Sequence, residues 1–522
     1  MSKLEEVKKE IAKYDYVRFS LCDLNSEYRG QVVAGRHAAK YLEEGIDIAQ
    51  GILRALQWKL YPHIDHEKSY KWGKAIIYPD LDTLRPIPWA GDGVKVAEIL
   101  CESRWKKDNS PQGACPRYVA RKQLQRLDEQ GYAFFSGYEI EFSILEEETL
   151  NPIFECWNLY SQRMFNKHSK RLLHFDKNFK ESNIDVERYH TEAGPGMCEA
   201  TMKPKFGIES TDMAMNIKEG LMEMATNLDH HVVTFMTFPI SEKNPIGTNT
   251  HLNISLWNKN GESVFYDASA PDKLSDIAKY WIAGILRHSK ALCAFCNPTV
   301  NCYRTINKPF CPSAIFWAIE EQNALLRVKN ESPSKTYIEN RLPSGKCNSY
   351  LVLASTIAAG LDGVINKLEC PPEGSSDNAE ILPHSLDEAL EELEQDDVLV
   401  SALGSELVTW FVKCKRVGEI DLFKDVETDE ERHNCTQDTS TLEVVKKEIA
   451  KYDYVRFSLC VLNSEYRGQV VAGRHAAKYL EEGIDINQGN PTSFTGSDSQ
   501  VDYKDKWELL VPGCRAATLL IG

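Results

Sequence analysis

The stretch FSGYEIEFSI (Phe135–Ile144) sets two glutamates, Glu139 and Glu141, into a run that is otherwise mostly apolar and aromatic. Its residue types and length predict a β-strand, on which residues i and i+2 share a face. Both carboxylates then lie side by side among groups that exclude water. Carboxylates held that close repel, and burial raises the cost of each charge. A divalent cation between them reverses the sign of the interaction. Three more stretches carry matching chemistry. HTEAGPGMCEATMKP holds Glu192 and Glu199 around a Gly-Pro-Gly turn. GTNTHLNISLW places His251, Asn253 and Ser255 on one strand face, and YIENRLPSG sets Glu339 and Arg341 at i, i+2. Glutamates with one histidine and few thiols are hard to borderline ligands, suited to Mg²⁺ or Mn²⁺. Singly, each piece reads as a solvent-facing glutamate or a satisfied structural histidine; the joint pattern is far more specific.

The elements that position these residues are legible in outline. The chain has 522 residues, enough for two to four domains. Residues 1–107 read as a small α+β unit: a charged helix, the strand pair YDYVRFSLCDL and YRGQVVAG, and a second helix at RHAAKYLEEG. From 108 to 435, strands and helices alternate over a length that suits one large α+β domain, closed by amphipathic helices after residue 385. Leu4–Gly51 then returns as Leu442–Gly489 with only Glu6/Val444, Asp23/Val461 and Ala49/Asn487 changed, so 45 of 48 positions match. Solenoid repeats are short, diverged and adjacent. This single distant copy instead reads as a recent duplication, and 490–522 reads as a poorly ordered tail.

A net charge of −16 argues against nucleic-acid and anionic-membrane binding. The N-terminus has no signal-peptide core, and YWIAGILRHSKALCAF is interrupted by Arg and His, so the expectation is a cytoplasmic protein. The 15 cysteines are scattered and odd in number, which predicts reduced thiols. Cys293 and Cys296 form one CxxC, but no second follows at zinc-site spacing, so they read as buried thiols.

From about Tyr14 to Phe423 the chain resembles the glutamine synthetase family. YEIEFSI is similar to the family's paired-Glu strand and EAGPGMCE to its Glu…Gly-Gln…Glu loop, with Met197 where Gln is usual. GTNTHLNISLW resembles its His-x-His-x-Ser-Leu strand, NPTVNCYRTINKPFCPS its flap, and ENRLPSGKCNSYLVLASTIAAGLDGV its C-terminal signature. The resemblance implies an α+β fold with an N-terminal β-grasp domain and a large catalytic domain. It implies a homo-oligomeric ring, commonly a dodecamer, with sites at subunit contacts. It also implies ATP-driven phosphorylation of the γ-carboxylate of glutamate followed by attack of an amine, with two Mg²⁺ or Mn²⁺ ions. Carried over, Glu141, Glu192 and Glu199 hold one ion, and Glu139, His251 and Glu339 the other. Arg327 and Arg341 clamp phosphate and substrate carboxylate, and Asn253 and Ser255 contact the nucleotide.

The ammonium side departs from the family. Ala49 or Gln50 stands where the family has the Asp that takes a proton from ammonium, and Cys311 where the flap has Glu. Thr305 and Gln322 replace arginines, Ile246 an Asn, and Leu368 the Tyr that bacterial relatives adenylylate. These departures resemble most the non-catalytic branch of the family found in animal eye lens. The first expectation is therefore a catalytically silent ring protein that keeps metal and ATP sites and acts with cytoskeletal filaments. The second is a ligase joining glutamate to another amine, for which six retained metal ligands argue. The third is an ordinary glutamate–ammonia ligase, in which Glu320 or Glu321 would stand in for the missing acids.

Overall fold

The computed structural model describes residues 2–54, 74–147, 149, 151–227, 231–236, 246–304, 306 and 311–421, together with four strands beyond residue 453. Thr305 and part of the flap stretch lie outside the described residues. The chain divides into two units, Met1–Lys424 and Asp425–Gly522.

The first unit opens on a mixed sheet. Its strands are β1 (Tyr16–Cys22), β2 (Tyr28–Ala34), β3 (Ile46–Ala49), β4 (Lys74–Pro79), β5 (Arg85–Pro86) and β6 (Val96–Trp105). They lie in the order β2-β1-β6-β4-β3, with β5 on β6, and β1 runs parallel to β6. Val17, Phe19 and Leu21 alternate along β1 and are fully buried. They join Val7 and Ile11 of the helix Lys3–Ile11, and Ala38 and Leu42 of the helix Gly35–Glu44, in one core. Ser2 caps the first helix by accepting from the Glu5 amide. This is the α+β N-terminal domain that the strand pair and flanking helices predict.

The large domain is built on a nine-stranded sheet. Its strands are β7 (Tyr132–Glu146), β8 (Val186–Thr191), β9 (Met197–Met202), β10 (Lys205–Phe206), β11 (His231–Thr234), β12 (Thr250–Asn258), β14 (Trp317–Ile319), β15 (Leu326–Asn330) and β16 (Thr336–Asn340); β13 (Ala314–Ile315) pairs separately with β17 (Glu380–Ile381). The path is β14-β15-β16-β12-β7-β9-β8. Strand β7 is the spine. Phe134, Tyr138, Ile140, Phe142 and Ile144 point into the core, and Phe135, Gly137, Glu139 and Glu141 take the other face. Helices 116–129, 208–227, 276–287 and 349–366 join that core. Arg117, almost fully buried, ties the two domains together: it forks onto Asp212 at 2.7 and 2.8 Å and reaches Asp80 and Glu102 of the N-terminal domain.

The helix Ser349–Asn366 is long and apolar enough to cross a membrane, yet 83% of it is buried inside the protein, as a core helix would be. It crosses the helix Asp276–Arg287 at glycines. A Cβ at Gly363 would sit 1.9 Å from the Tyr280 carbonyl oxygen and 2.9 Å from the Cα of Gly284. Gly363→Ala is therefore expected to lower stability by about 2–4 kcal/mol, read from the urea midpoint at unchanged slope.

His288, 4% exposed, joins three helical segments. Its Nδ1 lies 2.5 Å from Asp396 and its Nε2 3.1 Å from Asp362. Both ring nitrogens must donate, so the ring is an imidazolium. Burial pulls its pKa down, but the bonds to Asp396 and Asp362 outweigh burial and raise it. The stabilisation is complete below the unfolded value of 6.5 and fades as pH rises through the raised folded value. His288→Gln should cost about 3 kcal/mol at pH 6, because Asp396 and Asp362 lose the cation they share. The deficit should shrink towards pH 9, as urea titrations at both pH values would show.

In the second unit, Tyr454–Cys460 pairs with Tyr466–Ala472 in the register of β1 and β2: Tyr454 faces Ala472 as Tyr16 faces Ala34. The third strand differs. Strand β1 has β6 alongside in parallel, whereas Tyr454–Cys460 has Ala517–Ile521 antiparallel, itself paired with Asp505–Leu509. Within 490–522, where the sequence predicts little order, the structure thus places two short strands.

Candidate active site

The polar face of the large sheet carries side chains set by strand register. Strand β12 pairs antiparallel with β7 so that His251 faces Glu139 and Asn253 faces Gly137. On the other side of β12, Asn253 faces Glu339 of β16, which faces Arg327 of β15. On the other side of β7, Glu141 faces Glu199 of β9, which faces His190 of β8. Parallel rows of side chains thus cross the sheet, one from Gly137 to Arg327 and one from Glu141 to His190, with Glu139 and His251 between them, as the i, i+2 rule stacks them.

Two groups of ligand atoms converge on this face. Glu139, His251 and Glu339 present atoms within 4.8 Å of one another, as do His190, Glu192 and Glu199. In the first group, His251 Nδ1 lies 3.5 Å from both Glu139 Oε2 and Glu339 Oε1. The Asn253 amide donates to Glu139 at 3.0 Å. Arg327 lies 3.4 Å from Glu339, and Arg341 forms a closer ion pair with it. Burial pushes Glu139 upwards, but His251, Asn253 and the Arg188 charge outweigh burial and hold its carboxyl well below the usual range. Burial and Arg341 pull His251 down, and the carboxylates of Glu139, Glu141 and Glu339 more than offset them.

In the second group, His190 bridges the carboxylates, with Nδ1 3.2 Å from Glu192 and Nε2 3.2 Å from Glu199. Burial lowers its pKa, but the bond to Glu199 and the charges of Glu199 and Glu192 raise it further. Glu192 is raised by burial and by Glu199. This group differs in one member from the expected set of Glu141, Glu192 and Glu199. Glu141 lies across the strand from Glu199, and its carboxylate accepts from the Asn249 backbone at 2.7 Å and the Asn249 side chain at 3.2 Å. Burial, then Glu192 and Glu199, raise it to about 7 against the pull of His251. His190 and Asn249 were missed from the sequence. The signal for His190 was present, since it precedes Glu192 by two residues, the spacing that marked Glu139 and Glu141.

The residues present fit divalent metal ions and an anion. Neither ring nitrogen of His251 has a hydrogen-bond partner among the described residues, although the side chain is 5% exposed. The same holds for Nε of Arg327, Nε of Arg341 and Oδ1 of Asn253. A buried polar atom left without a partner costs about 1–3 kcal/mol. Several such atoms around three carboxylates are what a site looks like whose partners are ligands.

One end of this face is aromatic. The Phe135 ring lies 4.5 Å from Phe206 and 5.7 Å from Trp257, whose indole donates to Ser255 at 3.0 Å. Phe206 is half exposed. Six residues of β7 separate Phe135 from Glu141, roughly 20 Å at strand rise.

The departures on the ammonium side are also placed. Ala49 ends β3, and the nearest acid in that strand, Asp47, is engaged by Lys74 at 3.0 Å and by Lys106. Cys311 Sγ lies 3.9 Å from Asn249 Oδ1, hence beside Glu141. Glu320 accepts from Arg327 at 2.9 Å and pairs with Lys329, and Glu321 accepts from Asn323, so neither stands as a free acid.

The family model for the glutamine synthetase catalytic domain matches residues 113–435. Glutamine synthetase of Thermotoga maritima is 29% identical over 430 residues, covering 79% of this chain and 94% of that protein. Lengsin of Rattus norvegicus is 28% identical over 444 residues, covering 80% and 75%. A solved GmaS/ADP complex has the same fold, with a TM-score of 0.72 at 23% identity over 83% of this chain and 99% of its own. The near-equal identities to lengsin and to a bacterial enzyme do not favour the eye-lens branch.

Proposed function

The chain belongs to the glutamine synthetase family, and from that premise we propose that it activates the γ-carboxylate of glutamate with ATP and passes it to an uncharged amine. The observation that carries this reading is the set of buried, partnerless polar atoms on His251, Asn253, Arg327 and Arg341 around intact carboxylates. Members of the family bind divalent metals and ATP and assemble as homo-oligomers.

Glu139, His251 and Glu339 would hold one Mg²⁺ or Mn²⁺, and Glu192 and Glu199, with Glu141 beside them, the other. When bound, such ions neutralise charge on the phosphates and on the reacting carboxylate. Arg327 and Arg341 orient the transferring phosphoryl group and the substrate carboxylate through planar guanidinium forks. Phe135, Phe206 and Trp257 offer a flat apolar wall to a purine, with Ser255 at its edge. In the second step the amine nitrogen attacks the γ-carbonyl carbon of γ-glutamyl phosphate. The C–N bond forms, the C–O bond to phosphate breaks, inorganic phosphate leaves, and the nitrogen gives up a proton.

That proton separates ammonium from other amines. With Cys311 on the flap and Asp47 already paired to two lysines, ammonium finds no free acid to bind or deprotonate it. An amine that arrives neutral needs no deprotonation before it attacks, and its one proton can leave with the departing phosphate. Glutamate-dependent ADP release near neutral pH should therefore rise at least tenfold with hydroxylamine, which is neutral there, over ammonium at equal concentration. Release that ammonium supports as well would refute the reading. No release with any amine would favour a second one, a non-catalytic ring protein, for which the same locked ammonium side argues.

A further inference from the structure

A lysine amine and a cysteine thiol meet in the core, outside the two acidic groups. Lys218 lies on the helix Ile208–Asn227 and is 4% exposed; among the described residues no carboxylate pairs with it. Its Nζ donates to the carbonyl oxygens of Gly345 at 2.9 Å and Cys347 at 3.1 Å. The third contact of Nζ is Sγ of Cys347 at 3.7 Å, on a fully buried residue. The Phe235 ring, 5.7 Å away, covers another side. Burial pulls the amine's pKa down and pushes the thiol's up, so the pair rests as neutral amine and thiol. Two carbonyls then take the amine's two protons, and its lone pair is left facing the sulfur. The loop that carries the thiol is pinned on both sides. The Gly345 amide donates to the Thr248 carbonyl at 2.9 Å, and the Asn348 side chain to the Asp23 carbonyl at 2.8 Å. Lys346 is only partly buried, so the loop reaches the surface one residue from Cys347.

We propose that Lys218 and Cys347 form a reversible modification site, at which a peroxide joins the amine to the sulfur as a sulfenamide. The inference stands apart from the ligase reading. The thiol gives its proton to Lys218, and the thiolate attacks hydrogen peroxide. The S–O bond forms, the O–O bond breaks, and the departing hydroxide takes a proton from the ammonium and leaves as water. Sulfur is thereby oxidised to a sulfenic acid and the peroxide is reduced. The neutral amine then attacks the sulfur. The N–S bond forms, the S–O bond breaks, and hydroxide leaves with an amine proton as a second water. Sulfenic acids condense with backbone nitrogens in the same way. Here a side-chain nitrogen is already in contact, and its flexible four-carbon stem can close the gap. Capture by the amine keeps Cys347 from the irreversible sulfinic and sulfonic acids, and a thiol reductant restores both side chains. The crosslink ties the helix Ile208–Asn227 to the loop that runs from Arg341 to the helix Ser349–Asn366.

The test treats the folded full chain with hydrogen peroxide, unfolds it in a thiol-blocking reagent, and maps its tryptic peptides by mass spectrometry. The wild type should yield a linked pair of peptides carrying Lys218 and Cys347, two hydrogens lighter than their sum, uncut after Lys218 and separated by dithiothreitol. In Lys218→Arg the link should vanish, and Cys347 should appear as the sulfinic acid, two oxygens heavier and not restored by dithiothreitol. In Cys347→Ser trypsin should again cut after Lys218. A wild-type Cys347 joined to another cysteine overturns the proposal, as does one found as unlinked sulfinic acid. So does a link that carries an additional oxygen, or a Cys347 thiol left intact while the partly exposed Cys156 is oxidised. The wild-type map decides by itself, so the result stands even where a variant fails to fold.

Discussion

Glu339→Gln is expected to lower glutamate-dependent ADP release about a thousandfold, the largest loss of any single conservative change. Glu339 is 3% exposed, pairs with Arg341 and Arg327, and has His251 Nδ1 3.5 Å from the same carboxylate. Glutamine keeps the shape and removes the charge. Three groups then lose their shared anion, and any cation placed among them meets two arginines with one carboxylate fewer. Losing one electrostatic partner at a reacting centre costs roughly 10²–10³ in rate; here the same change also removes a metal ligand. An unfolding midpoint measured alongside separates lost chemistry from lost fold, and the exposed Glu331→Gln provides the control. A loss below tenfold in a folded protein would mean that phosphoryl transfer does not occur at this group.

The second large effect is a gain. Cys311→Glu should raise the ammonium-dependent rate roughly a hundredfold, within the 10²–10⁴ range of general acid–base assistance. The side chain at 311 reaches Asn249, whose amides hold Glu141, so a carboxylate there enters the site. It supplies the acceptor that ammonium lacks, since Asp47 and Glu320 are already paired to cations. The hydroxylamine-dependent rate should change less than threefold, because that amine arrives neutral. Equal gains for both amines would point to better flap closure rather than proton transfer. No gain for ammonium would show that the missing acid is not what limits it.

Much of this site was legible because alternation along a strand is a local property. The spacing of Glu139 and Glu141 placed both on one face, and β7 shows the matching set, Phe134 to Ile144, on the other. Spacing likewise paired Glu339 with Arg341. What single strands do not carry is their register against one another. That Glu139 faces His251, and that Asn249 donates to Glu141, follow from β7–β12 pairing. His190 joins Glu199 only through the pairing of β8 with β9, which spacing along one strand does not carry. The engagement of Asp47 by Lys74 and Lys106 joins residues 27 and 59 positions apart, beyond any local rule. The repeat shows the same limit: identical sequence gives an identical hairpin, and the third strand depends on what else is at hand.

The proposed function requires the two carboxylate groups on one sheet face to bind divalent ions. Calorimetric titration of the full chain with Mn²⁺ tests it most directly, on the wild type, Glu339→Gln and Glu192→Gln. Two ions should bind per wild-type chain and one in each variant, with the wild type's melting temperature rising as the ions bind. No binding at millimolar Mn²⁺, or two ions retained in both variants, would contradict it.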